Sequence, residues 1–173
     1  MFILSPICKL SYSPISNYVE ITLDNKGLFQ FMELLRSKKG KLSFPLSNTT
    51  SDMISISGLE VIPVPIEVFS GSDYHIMCLY DLKSSAVQFH IDEDGFSEML
   101  YILNFINETG DHFHMFADFD LFISKEETDE MSVIKAVTIY PQKNQIVNDS
   151  FCEANSWIKL SNTTFFLIYK ILR

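Results

Sequence analysis

Apolar and polar residues alternate at Val19, Ile21 and Leu23 and again at Val87, Phe89 and Ile91, the two-residue period of a strand with one buried face. An Asp-x-x-Gly segment follows each run, Asp24-Asn25-Lys26-Gly27 in one and Asp92-Glu93-Asp94-Gly95 in the other. An Asp in this position accepts hydrogen bonds from the free N–H groups that open a helix. Helical spacing comes next in both copies: Leu28, Phe31, Met32 and Leu35, then Phe96, Met99, Leu100 and Leu103, each set at i, i+3, i+4, i+7. Gly40 and Gly110 stand where a left-handed cap closes a helix. Strand-like runs then recur at 42–46 and 112–116, at 53–57 with 60–69, and at 119–124 with 132–140. Pro63 and Pro65 push the 60–69 run toward a sheet edge or an irregular path.

The pattern predicts an α+β protein of two tandem β-α-β-β-β units, each with one helix packed on a mostly antiparallel sheet. The first, diverged unit spans 1–79, the second 80–145, and 146–173 adds a C-terminal strand extension that includes the run 164–172. Residues 1–16 and the tail supply edge strands. Two such units either bury their open faces together or merge into one sheet, and the pattern leaves both packings open.

Composition agrees with a chain that folds around its own core. Of 173 residues, 47% are hydrophobic and 20% charged, and 15 Phe with 7 Tyr favour packed sheets over a loose bundle. Cys8, Cys78 and Cys152 cannot all pair and have no metal-ligand spacing, which suits a reducing compartment. The first residues lack a basic start and are interrupted by Pro6, Lys9 and Pro14, a poor signal peptide, and no apolar run nears the roughly 20 residues of a membrane helix. The expectation is a cytoplasmic protein without membrane contact.

The formal net charge of −9 is concentrated in the middle of the chain. Residues 81–130 hold thirteen acids against Lys83 and Lys125, a local net of −11, while both flanking regions are near neutral. A field of one sign repels phosphates and attracts basic protein surfaces. The only basic cluster, Lys38, Lys39 and Lys41, lies at a helix C-terminus where the dipole accounts for it, so nucleic acid is not an expected partner. G-x-S-x-G, the P-loop, G-x-G-x-x-G and H-E-x-x-H are all absent. Cys78 lies near His75, but in an apolar run that raises a thiol pKa.

Strand alternation puts His90, His112 and His114 on the faces turned away from the helix. Were their strands neighbours, three imidazoles would converge as in a three-His zinc site, with Asp118 or Asp120 as a fourth ligand or base. Such residues more commonly pack between sheets, bond to carboxylates or sit in an interface. No cofactor or metal is therefore assigned.

Residues 86–140 resemble a family of small bacterial immunity proteins attached to polymorphic toxin systems. The matching elements are Val87, Phe89, Ile91, Asp92, Gly95 and Phe96, then Gly110-Asp111-His112-Phe113-His114-Met115, then Leu121-Phe122-Ile123-Ser124 and the run 133–139. They cover about a third of the chain. Where family members often carry a Trp-Gly-rich stretch, this chain has Ala117-Asp118-Phe119-Asp120. The resemblance implies a non-enzymatic protein that binds a cognate toxin and blocks it, acting as a monomer or dimer. The contact residues expected for a basic partner are Asp92, Glu93, Asp94, Asp111, His112, His114, Asp118, Asp120, Glu126, Glu127, Asp129 and Glu130. The rival expectation is a small-molecule or metal-binding regulatory module using the His90, His112 and His114 face.

Overall fold

A computed structural model describes residues 1–48, 51–70, 73–116, 131–142 and 157–159. The first half of the chain forms β1 (Phe2–Ile3), β2 (Lys9–Ser13), β3 (Tyr18–Leu23), α1 (Asn25–Arg36), β4 (Gly40–Ser43), β5 (Ile54–Ser55), β6 (Gly58–Pro63) and a 3-10 turn (Ile66–Phe69). The second forms β7 (Ile76–Asp81), β8 (Ala86–Ile91), α2 (Glu93–Thr109), β9 (Phe113–Phe116), β10 (Met131–Val133), β11 (Ala136–Pro141) and β12 (Trp157–Lys159). The protein is thus α+β, with both helices where the apolar spacing predicts them.

The sheets are arranged differently from the expectation that each half builds its own. Among the described residues there are two six-stranded sheets, ordered β1-β4-β6-β8-β7-β10 and β12-β9-β11-β3-β2-β5. Each combines strands from both halves. The hairpin before each helix lies in one sheet; after the helix β4 and β6 in the first half, and β9, β11 and β12 in the second, lie in the other, while β5 and β10 return to the hairpin's own sheet. Two parallel pairings close the exchange, β6 with β8 and β11 with β3. Read along their orders, both sheets run parallel, antiparallel, parallel, antiparallel, antiparallel, so they are mixed. A one-helix unit leaves one face of its sheet bare; exchanging strands lets each half cover the apolar face of the other. β7 runs unbroken across positions 79 and 80, where the sequence reading divides the halves.

The inward faces share one core. Leu10, Tyr12, Val19, Ile21, Phe113, Met115, Val137 and Ile139 come from one sheet, and Leu42, Leu59, Val61, Cys78, Val87, Phe89 and Ile91 from the other. Tyr12 and Tyr80 stack across the sheets with ring centroids 4.3 Å apart, and Phe31 of α1 meets Phe89 at 6.1 Å. Alternation along β3 and β8 gives this burial directly, and the helices contribute Leu28, Phe31, Leu35, Phe96, Met99 and Leu103.

Three local expectations change. The single strand expected at 132–140 is two, because the chain passes from one sheet to the other at the buried Ile134, whose N–H bonds to the Cys78 carbonyl at 3.0 Å. Ile56 makes the matching passage between β5 and β6, with its N–H on the Leu10 carbonyl at 2.9 Å. The run containing Pro63 and Pro65 is split in the same spirit: β6 lies inside its sheet, Pro63 is its last residue, and the irregular 3-10 turn follows. Gly40 does not cap α1. The helix ends at Arg36, Lys38 takes the left-handed conformation at φ 58°, and Gly40 already belongs to β4. Gly110 does cap α2, at φ 68°, with its N–H on the Ile106 carbonyl at 2.9 Å.

Candidate functional site

The acidic residues at the start of α2 divide by burial. Asp92 is wholly buried, which takes it out of any exposed carboxylate patch. One of its oxygens accepts from the Gly95 N–H at 2.9 Å, capping the helix. The other lies 2.9 Å from His75 Nδ1. Asp92 also donates its own N–H to the His75 carbonyl at 3.1 Å. Gly95 is required here because a Cβ would be driven into that same carbonyl. The Asp-x-x-Gly pattern therefore combines a helix cap with a close passage of backbone.

Glu93 and Asp94, by contrast, are exposed. Glu93 pairs with Lys38, which follows α1, so the ends of the two helices are joined by an exposed ion pair. Asp111 is half-buried just beyond the other end of α2. Asp118, Asp120, Glu126, Glu127, Asp129 and Glu130 lie outside the described residues.

Burial opposes charge on His75, yet the hydrogen bond to Asp92 and the charges of Asp92, Asp94 and Glu98 outweigh it and raise its pKa. Burial also raises the Glu98 carboxyl, with the charge on His75 pulling the other way. The sequence reading weighs His75 only as a partner for Cys78, whose buried thiol is pushed well above its ordinary value. The missed signal is hairpin register. With Ile76 opposite Ile91, the next pair outward is His75 and Asp92.

His112 and His114 face outward, as alternation with the buried Phe113 and Met115 predicts. Their rings meet edge to face at 4.7 Å, and His112 stacks on Tyr140 at 5.4 Å. His114 Nδ1 lies 2.7 Å from Thr138 Oγ1, and Tyr18 links Thr138 (2.8 Å) with Glu20 (3.2 Å). Burial, then the neighbouring His112, lowers the His114 pKa, and burial raises the Tyr18 hydroxyl. His90 does not join them. It sits on β8 in the other sheet, with Nε2 3.1 Å from Gln88 Oε1, because the exchange of strands separates β8 from β9. The expected three-imidazole face is thus two imidazoles, and no cluster of three His, Cys, Asp or Glu suited to a metal ion occurs among the described residues.

The outer face of the other sheet carries an apolar patch toward its β7–β10 edge. Phe69 from the 3-10 turn packs with Met77 and Leu79, flanked by Val64, Tyr74, Met131 and Val133. No helix among the described residues is long and apolar enough to cross a membrane. Compared with family models, curated proteins and solved structures, the chain matches none.

Proposed function

We propose that this protein is a non-enzymatic toxin-neutralising immunity factor that acts in the cytoplasm by binding a basic protein partner. The observation that carries the reading is the −11 charge of residues 81–130, a concentration of one sign that attracts a basic protein surface. The exposure of Glu93 and Asp94 supports it, since carboxylates in water at a helix start steer a cationic partner at little cost to the fold. The resemblance of residues 86–140 to polymorphic-toxin immunity proteins points to the class of partner. We further infer that the two halves descend from one duplicated unit. Matching strand orders, the paired Asp-x-x-Gly turns and the two crossings at Ile56 and Ile134 support this.

The test is co-purification with candidate toxin domains, followed by rescue of growth in cells producing the toxin. Asp118→Lys with Asp120→Lys, and separately Glu93→Lys with Asp94→Lys, should slow association and weaken rescue. Unchanged binding in both would reduce the acidic segment to a solvating surface. The rival reading, a metal or small-molecule module, is favoured by the adjacency of His112 and His114 alone. Stoichiometric zinc in the purified protein, lost in His114→Ala, would put it first.

A further inference from the structure

We propose that His75 and Asp92 form a proton-operated latch: the charged imidazole ties the start of β7 to the first turn of α2, and the neutral imidazole lets that turn loosen. The geometry supplies three fastenings between the same two segments. The Asp92 N–H donates to the His75 carbonyl at 3.1 Å, the His75 ring meets the buried carboxylate at 2.9 Å, and the His75 carbonyl lies in the space that Gly95 leaves by having no side chain. Only the ring contact changes with a proton. A protonated imidazole against a carboxylate wholly out of water makes a charge-assisted bond, and losing the proton leaves that carboxylate with one neutral donor and the cap N–H.

The charged groups acting on His75 are Asp92, before α2, and Asp94 and Glu98, on it. All are acidic and all favour the closed, charged state. The equivalent turn of the other half has no such proton. There Asp24 is held by the Ser5 hydroxyl at 2.6 Å and the Cys8 thiol at 3.4 Å, and burial holds that thiol above its ordinary range. The latch deepens the reading of Glu93 and Asp94 as contact residues, because it governs the order of the turn that carries them, and any effect on partner binding rests on that reading.

The latch is tested on the full chain without a partner, by following the His75 ring and backbone amide exchange by NMR from about pH 5 to about pH 9. The His75 midpoint should lie above the ordinary value of about 6.5. Exchange protection at Gly95 and Phe96, corrected for the intrinsic pH dependence, should fall on passing it, by about tenfold for each unit of displacement. Gly27 and Leu28 should show no step in the same window, and His75→Gln should abolish the step at Gly95. A midpoint at or below the ordinary value, an equal step at Gly27, or the same step in His75→Gln would overturn the latch. Charge reversal at Glu93 alone tests the contact reading separately, since partner binding can stay unchanged there while the His75 step persists.

Discussion

Asp24 and Asp92 occupy equivalent turns, and each accepts from the N–H of a glycine three residues on, at 2.6 Å and 2.9 Å. What surrounds them differs. Asp24 is half-buried and held by a hydroxyl and a thiol; burial works against its charge, but the bonds from Ser5, Gly27 and Cys8 prevail and keep its carboxyl below the usual range. Asp92 is fully buried and held by an imidazole. The close passage differs too: a Cβ on Gly27 would meet Cys8 Sγ at 2.7 Å, whereas on Gly95 it meets backbone. The same sequence grammar thus yields one turn that a side-chain adjustment can relieve and one that cannot give.

The largest contrast should come from the glycines. Gly95→Ala should cost about 3 kcal/mol or more, because a peptide group has to move, and Gly27→Ala about 1 kcal/mol. Urea denaturation measures both, and Cys8→Ala should recover part of the smaller loss; equal costs would break the contrast. Next are the caps. Asp92→Ala should destabilise by about 2 kcal/mol, since it also leaves a mostly buried imidazole unpaired, against about 1 kcal/mol for Asp24→Ala.

The pH dependence is smaller and has two opposite signs. His75, raised in the fold, contributes stability that is fully present below its unfolded value of about 6.5 and is lost as pH rises through the higher folded value. His114, depressed in the fold, contributes stability present above about 6.5 and lost as pH falls toward its folded value. Thermal melts should therefore show His75→Gln removing a loss on the alkaline side and His114→Gln removing one on the acid side. The smallest effect is expected for Glu93→Lys, which breaks the exposed pair with Lys38 and should change stability by less than about 1 kcal/mol. A larger loss would mean that the ion pair, and not the buried cap, fastens this turn.

The helices, their caps at Asp24, Asp92 and Gly110, and the inward sets on β3 and β8 were legible because each depends on neighbours within one turn or one pleat. Strand exchange was not. Whether Val87 lies beside Leu59 or a more distant strand depends on how two apolar faces are covered, and alternation records only which side is apolar. The misplaced partner of His90 follows from that. The reading of Gly40 as a cap fails for a local reason instead, since Lys38 takes the left-handed position that glycine usually fills. Asp92 was read as an exposed acid because its charge is visible in the sequence while His75, which holds it, stands one hairpin away.

Interlocking has a consequence for synthesis. Val19 finds its parallel neighbour in Val137, more than a hundred residues on, so the middle of one sheet cannot form until β11 has left the ribosome. Until then β2 and β3 have one open flank, and a nascent chain in that condition is exposed to pairing with the wrong partner, including another copy of itself. Truncation that removes β11 should therefore leave β3 without its parallel neighbour and yield sticky fragments that chaperones must hold.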